Sequence, residues 1–242
     1  EDSFESFEGT AETASVALHY PLKRSVKTNV TASIEGKYDR LSDTLNGTRV
    51  DKKTAKAGTA RLQFDHRDNW LGAGQTFGSV GLQMGDITSS EASTVQGSFR
   101  KLELSLARLQ ALPNGFEALV SANVQHSPDP LNGAQQISLG GATKVRAYPA
   151  GEANATSGAI LQTELRYARG AYAPFVFYDA GTIKADGQEP ARSLSGYGVG
   201  LRMTQGPLQA AISIAWKGTG GAAQSDERQS DPTIWANISY AF

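Results

Sequence analysis

Three histidines, His19, His66 and His126, are the side chains of this 242-residue chain best suited to proton transfer at neutral pH. A hydrolase would combine one of them with a serine and a carboxylate, yet the sequence has no Gly-x-Ser-x-Gly motif. The histidines do not stand at metal-ligand spacing from one another, and cysteine is absent. The residues therefore give poor support to catalysis or metal binding, and no cofactor is expected.

A different candidate is Arg146, a single arginine between apolar neighbours in the segment 138–152. This segment is rich in glycine and is the longest part of the chain without strand-like alternation. Long loops inside regular β-chains are usually functional. From the residues alone, however, Arg146 is equally well explained as an ordinary charge on a surface loop.

Alternation of apolar and polar residues elsewhere predicts about eleven strands of roughly ten residues each. Short turns, for example 21–24 and 69–72, alternate with longer polar loops, for example 43–53 and 88–97. Strands of this length cross a bilayer at a tilt, and soluble sandwiches do not sort their connections so regularly. The pattern predicts an all-β, antiparallel transmembrane barrel.

The two faces of the predicted strands differ in charge. Ten charged residues fall opposite the apolar face and are interpreted as lumen residues: Glu35, Lys37, Arg61, Asp65, Lys101, Glu103, Glu117, Glu164, Arg166 and Arg202. In strand 172–179 the same alternation leaves Phe175, Phe177 and Asp179 inside. Trp70, Trp216 and Trp235 mostly fall near strand ends, which predicts aromatic girdles at the membrane interfaces.

Composition agrees with this fold. The formal net charge is −1, so the basic excess typical of nucleic-acid binding is missing. A mean hydropathy of −0.35 suits a barrel because every second residue faces a wet lumen. The lack of cysteine fits a barrel that crosses an oxidising compartment without mispairing.

Two short motifs resemble signatures of the BamA-like outer-membrane superfamily. Val145-Arg146-Ala147-Tyr148 resembles its Val-Arg-Gly-Tyr/Phe motif, and Phe177-Tyr178-Asp179-Ala180-Gly181 resembles its Phe-x-Asp-x-Gly motif one strand later. The run 139–141 and the continuation Gly151-Glu152 and 157–159 look most like the two-partner secretion transporters, the haemolysin secretion/activation (TpsB) branch. The terminal Tyr240-Ala241-Phe242 is similar to the β-signal read by the barrel assembly machinery.

The resemblance implies a domain organisation. Residues 1–242 would be the C-terminal part of a sixteen-stranded barrel, in the outer membrane of a Gram-negative bacterium, without the POTRA domains and first strands that precede it in the family. A loop at about 128–158 would insert into the lumen, where Arg146 would pair with Asp179. Tyr148 and Phe177 would be packing anchors or mere lumen filler. Ala147 replaces the signature glycine, which would cost about 1 kcal/mol if the position needs a positive φ.

The implied function is export of a large, unfolded or extended partner exoprotein across the outer membrane, with the loop as a plug or tether. The partners would be this passenger, the lipid bilayer and, during biogenesis, the barrel assembly machinery, with no nucleic acid. Three alternatives stay open at this point: an insertase that folds other barrels, an outer-membrane enzyme, and a passive diffusion porin.

Overall fold

The computed structural model describes residues 7–46, 48–90, 95–184, 190–226 and 229–241. Eleven strands form one antiparallel sheet in chain order, and two short strands pair separately. The strands of the sheet are β1 (Phe7–Arg24), β2 (Thr28–Leu45), β3 (Thr48–Asp68), β4 (Gly74–Ser89), β5 (Gly97–Ala111), β6 (Phe116–His126), β9 (Gly158–Tyr167), β10 (Tyr172–Ile183), β11 (Arg192–Gln205), β12 (Leu208–Lys217) and β13 (Thr233–Tyr240). Among the described residues no helix is long and apolar enough to cross a membrane.

Residues 127–157, between β6 and β9, form the long loop. It contains a 3-10 turn, Gly133–Gln135, and the short strands β7 (Ile137–Ser138) and β8 (Asn154–Ala155), which pair with each other. The side of the sheet on which this loop lies is called the inner face, and the opposite side is the outer face. The predicted loop and the observed one differ by a single residue at each end.

The register confirms the predicted separation of the two faces. Leu62, Val80, Leu104 and Val124 stand opposite one another across β3 to β6, and all four are exposed on the outer face. The charged residues predicted to line the lumen all have inner-face registers. An exposed apolar face of this extent is stable in hydrocarbon and not in water.

The connections are sorted by length between the two ends of the sheet. One end has only short turns, at 25–27, 69–73, 112–115, 168–171 and 206–207. The other end has the long loop and the longer connections 90–96, 184–191 and 218–232, apart from the short connection 46–47 between the extended strands β2 and β3. In outer-membrane barrels the short turns are periplasmic and the longer loops extracellular, which orients this sheet.

Three predictions about the first strands are wrong. The segment 21–24 is not a turn, because β1 continues through it with a register irregularity between Pro21 and Lys23. The predicted polar loop 43–53 is mostly strand, since β2 reaches Leu45 and β3 begins at Thr48. β1 to β3 are therefore 18, 18 and 21 residues long rather than about ten. Polar, charged residues continue these ladders because backbone pairing does not require an apolar face once a strand has left the bilayer.

The sheet is open in the described part of the chain, where β1 and β13 lie at its edges without pairing to each other. Its main apolar core lies between the long loop and the inner face of β9 to β12, and includes Leu139, Val145, Phe175 and Phe177. A smaller cluster of Ile87, Phe99 and Leu131 packs the start of the long loop against β4 and β5.

The two faces of β3 predict different tolerances to charge. Leu62 is on the outer face, and its neighbour Gln63 is on the inner face. We expect Leu62→Arg to destabilise the folded barrel by about 2–4 kcal/mol, and Gln63→Arg to cost under about 1 kcal/mol. Urea unfolding in lipid vesicles, followed by heat-modifiable gel migration, measures both variants. Equal losses for the two variants would contradict the assignment of the faces.

Candidate functional site

Arg146 is buried against the wall of the sheet and is not a surface-loop charge, since only 4 % of it is exposed. Its Nε and Nη2 donate to the two carboxylate oxygens of Asp179 in β10, both at 2.7 Å. Its backbone N–H also donates to Asp179, at 3.1 Å. The pairing implied by the two motifs is therefore present, in the bidentate geometry that gives the strongest guanidinium–carboxylate contacts.

A second carboxylate, Glu164 in β9, completes the charge cluster. Arg146 Nη1 donates to Glu164 at 2.6 Å, and Arg202 of β11 binds both oxygens of Glu164 at 2.9 and 3.1 Å. Arg166 donates to the same carboxylate at 2.9 Å. Three guanidinium groups thus share two carboxylates, so that each buried charge has an opposite charge beside it.

Two aromatic rings of β10 pack against the guanidinium groups of the cluster. The Arg146 guanidinium lies 3.6 Å from the centre of the Phe177 ring, and that of Arg202 lies 4.2 Å from the Phe175 ring. Both contacts are cation–π interactions, which gain strength when water is excluded. Phe177 is therefore a packing anchor of the site rather than lumen filler.

A row of glycines in β11 makes room for these rings and for the loop. Gly196, Gly198 and Gly200 stand directly opposite Asp179, Phe177 and Phe175. A Cβ at Gly198 would lie 2.4 Å from the Phe177 ring, and one at Gly200 would lie 2.2 Å from the Phe175 ring. A Cβ at Gly196 would lie 2.4 Å from the Ala147 side chain. Glycine is required at these three positions because the long loop and the two rings approach the β11 backbone closely.

The remaining motif residues pack the tip of the loop into the wall. Val145, Ala147 and Tyr148 are completely buried. Gly181 allows the approach, since a Cβ there would lie 2.9 Å from Leu139 and 3.3 Å from Val145. Ala147 is not among the residues with positive φ, so the strain considered for this position is absent.

The backbone carbonyls of the loop tip are bound by the last strand and the segment before it. Trp235 Nε1 donates to the Arg146 carbonyl at 2.7 Å, and Thr233 and Gln229 donate to the Ala147 carbonyl. The prediction of an interface girdle was wrong for Trp235, which stands on the inner face opposite Ser213. Alternation alone could have revealed this, because Ile234 and Ile238 occupy the outer face of the same strand.

Tyr148 reaches towards the β12–β13 connection. Its hydroxyl lies 2.9 Å from the Thr219 carbonyl and 3.0 Å from the Gly221 carbonyl. Burial raises the pKa of this hydroxyl above its ordinary value, so it stays protonated and donates. Tyr148 is thus an anchor of the loop as well.

The other candidate residues lie away from this cluster. Tyr240 is exposed on the outer face of β13, and Phe242 lies outside the described residues.

His19, His66 and His126 are on β1, β3 and β6. His66 contacts Thr28, and His126 contacts Ser157 at 3.2 Å. The nearby Asp129 carboxylate binds Arg100 instead. The main cluster holds the long loop on the wall by ion pairs, and its described residues include no nucleophile and no open position for a metal ligand.

Replacing Arg146 and replacing Asp179 should lower the free energy of unfolding by unequal amounts. Arg146→Ala leaves the wholly buried Asp179 without an opposite charge, with the backbone N–H of residue 146 at 3.1 Å and Gln162 at 3.5 Å still donating to it, and should cost about 3–5 kcal/mol. Asp179→Asn leaves Arg146 paired with Glu164 and should cost less. In the double variant part of the Arg146→Ala loss should be recovered, because no unpaired charge remains. Urea unfolding of the four proteins measures this coupling, and strictly additive losses would contradict it.

Comparison with known proteins identifies the family. The profile of the haemolysin secretion/activation protein family ShlB/FhaC/HecB matches residues 4–203. The chain is 24 % identical over 191 residues to the heme/hemopexin transporter protein HuxB of Haemophilus influenzae, covering 73 % of this chain and 34 % of that protein. It is 27 % identical over 164 residues to the outer membrane transporter CdiB of Escherichia coli, covering 64 % of this chain and 26 % of that protein.

Solved structures show the same fold. CdiB from Escherichia coli superposes with a TM-score of 0.84 at 19 % identity, covering 98 % of this chain and 46 % of that structure. CdiB from Acinetobacter baumannii gives a TM-score of 0.78 at 15 % identity, covering 98 % and 43 %. The chain thus spans about a third of the length of the curated relatives it matches. It belongs to the haemolysin secretion/activation protein family and has the transmembrane β-barrel fold of these outer-membrane transporters.

Proposed function

We propose that the whole protein exports a large partner exoprotein from the periplasm to the cell surface in two-partner secretion. The observation that carries this proposal is the long loop fastened to the inner wall by Arg146 in a chain of this family. A loop held inside a barrel by a few strong contacts is an element with two discrete positions, bound and released. A passenger that enters the barrel would displace it.

The inner wall suits an extended polypeptide. Away from the long loop it carries Lys37 and Gln63, both exposed, and the Arg61–Glu103 ion pair at 3.1 Å. Such a wall can exchange hydrogen bonds with a passing backbone. Transport through it would need neither a cofactor nor bound nucleotide.

The outer face and the C-terminal residues would have partners of their own. The apolar outer face would contact the lipid bilayer, and Tyr240, with Phe242, would be read by the barrel assembly machinery during biogenesis. We propose no enzymatic activity: the Asp129 carboxylate near the Ser157–His126 contact is bound by Arg100, at 3.0 and 3.3 Å.

The test is secretion of the partner exoprotein by cells that make the complete gene product. We expect Arg146→Ala and Asp179→Ala each to reduce secretion about tenfold or more with normal amounts of barrel in the outer membrane, because each removes the bound one of the two positions between which the loop must switch. Arg108→Ala is the matched control: it removes another arginine that is bidentate to an aspartate, Asp68 at 2.9 Å, away from the long loop and the inner wall, and should leave secretion unchanged.

Unchanged secretion in both variants would contradict a transporter that depends on this pair. If the wild type exports no partner and depletion lowers the amounts of other barrels, the insertase function is favoured. Steady conductance of the wild type in planar bilayers, with no partner exported, would favour a diffusion porin.

A further inference from the structure

A second attachment of the long loop involves Glu152, which is outside both sequence motifs. This carboxylate is completely buried. It accepts hydrogen bonds from Arg192 Nη1 at 2.5 Å, from the backbone N–H groups of Gln224 and Ser225 at 2.8 Å each, and from Ser225 Oγ at 2.6 Å. Four donors on two other elements thus converge on one side chain of the long loop.

Arg192 extends this attachment along the β12–β13 connection. Its Nη2 donates to the carbonyls of Gly220 and Ala222, at 3.2 and 2.9 Å. Its Nη1 also donates to the Gln224 side chain at 2.8 Å. The Glu152–Arg192 pair therefore fixes the segment 220–225, which begins directly after Thr219 and includes Gly221, the two residues whose carbonyls Tyr148 binds.

The charges explain why this contact is strong. Burial raises the pKa of Glu152, but the hydrogen bonds from Ser225, Gln224 and Arg192 outweigh it, so that the pKa lies below the ordinary carboxyl value. At neutral pH the group is an anion whose donors are all supplied by protein. Removing Arg192 would leave the Glu152 carboxylate buried without an opposite charge, and removing Glu152 would leave Arg192 with neutral acceptors only.

The attachment lies at the other end of the loop tip from the Arg146 cluster. Glu152 contacts the start of β11 and the connection 218–232, both at the end of the sheet with the longer loops. Arg146 contacts residues within β9 and β10. The long loop is thus fastened at two places, one on the wall and one beneath a connection that faces the cell exterior.

We propose that Glu152 is a second positioning residue of the long loop and that segment 220–225 is a latch, which must let go before the loop can leave the wall. The inference uses the proposed function only to say what displaces the loop. The position of the loop itself can be measured without any passenger.

The measurement is the labelling rate of a buried thiol in the complete protein, in outer-membrane vesicles. This chain has no cysteine, and Val145→Cys places a thiol at a fully buried position beside Gly181. That site is in the wall contact and not in the latch. A change that only loosens the surroundings of Glu152 would therefore leave its labelling by a maleimide unaltered.

We expect Glu152→Gln in this background to speed labelling about tenfold or more, because the amide cannot neutralise Arg192. Asp129→Asn is the matched control: it removes another carboxylate of the long loop that binds an arginine, Arg100 at 3.0 Å, outside the latch. Its labelling rate should equal that of the parent.

Ser225→Ala keeps the charge pair and removes one donor, so it tests the latch even if Glu152→Gln does not assemble. It should speed labelling about twofold to fivefold, and it should have no further effect in the Glu152→Gln background. Parental rates in both Glu152→Gln and Ser225→Ala, with faster labelling in Arg146→Ala, would overturn the inference. The labelling experiment does not measure secretion, so this result can be distinguished from a failure of the proposed function.

Discussion

The structure depends on one buried cation. Arg146 is fastened to Asp179 and Glu164 by contacts of 2.6 to 2.7 Å, and it lies on the Phe177 ring. A guanidinium taken out of water is tolerated only where carboxylates and further donors satisfy it. The wall is built to meet this demand: β9 and β10 supply the carboxylates, Arg166 and Arg202 balance the second of them, and the glycines of β11 let ring and loop come close.

The charged contacts of the long loop are accompanied by apolar packing and by hydrogen bonds to distant segments. The long loop is held both by the apolar core that it shares with β9 to β12 and by buried ion pairs. The carbonyls of Arg146 and Ala147 are bound from β13 and the segment before it, and Glu152 is bound from the connection 218–232. Each attachment brings together parts of the chain that are far apart in sequence, which makes the position of the loop sensitive to the whole C-terminal half of the sheet.

Much of the fold could be predicted from the sequence because period-two alternation records which face is apolar, and turn residues record where strands reverse. The motif pair Arg146 and Asp179 could be predicted from the resemblance. Other features could not. β2 and β3 extend through polar residues because their ladders are backbone contacts, which side-chain polarity does not report. The sharing of Glu164 among three arginines depends on register across three strands, and the contact between Trp235 and the Arg146 carbonyl joins residues that are distant in sequence.

The most direct test of the account is to tie the loop to the wall. Val145 and Gly181 face each other in the wall contact: a Cβ at Gly181 would lie 3.3 Å from Val145 Cγ2, and the neighbour that must shift, at 2.9 Å, is the flexible end of the Leu139 side chain. In the complete gene product carrying Val145→Cys and Gly181→Cys, we predict that oxidation stops secretion of the partner exoprotein and that a reductant restores it, while either single variant secretes under both conditions. Undiminished secretion by the oxidised, fully cross-linked barrel would contradict the claim that the loop must leave the wall for the passenger to cross.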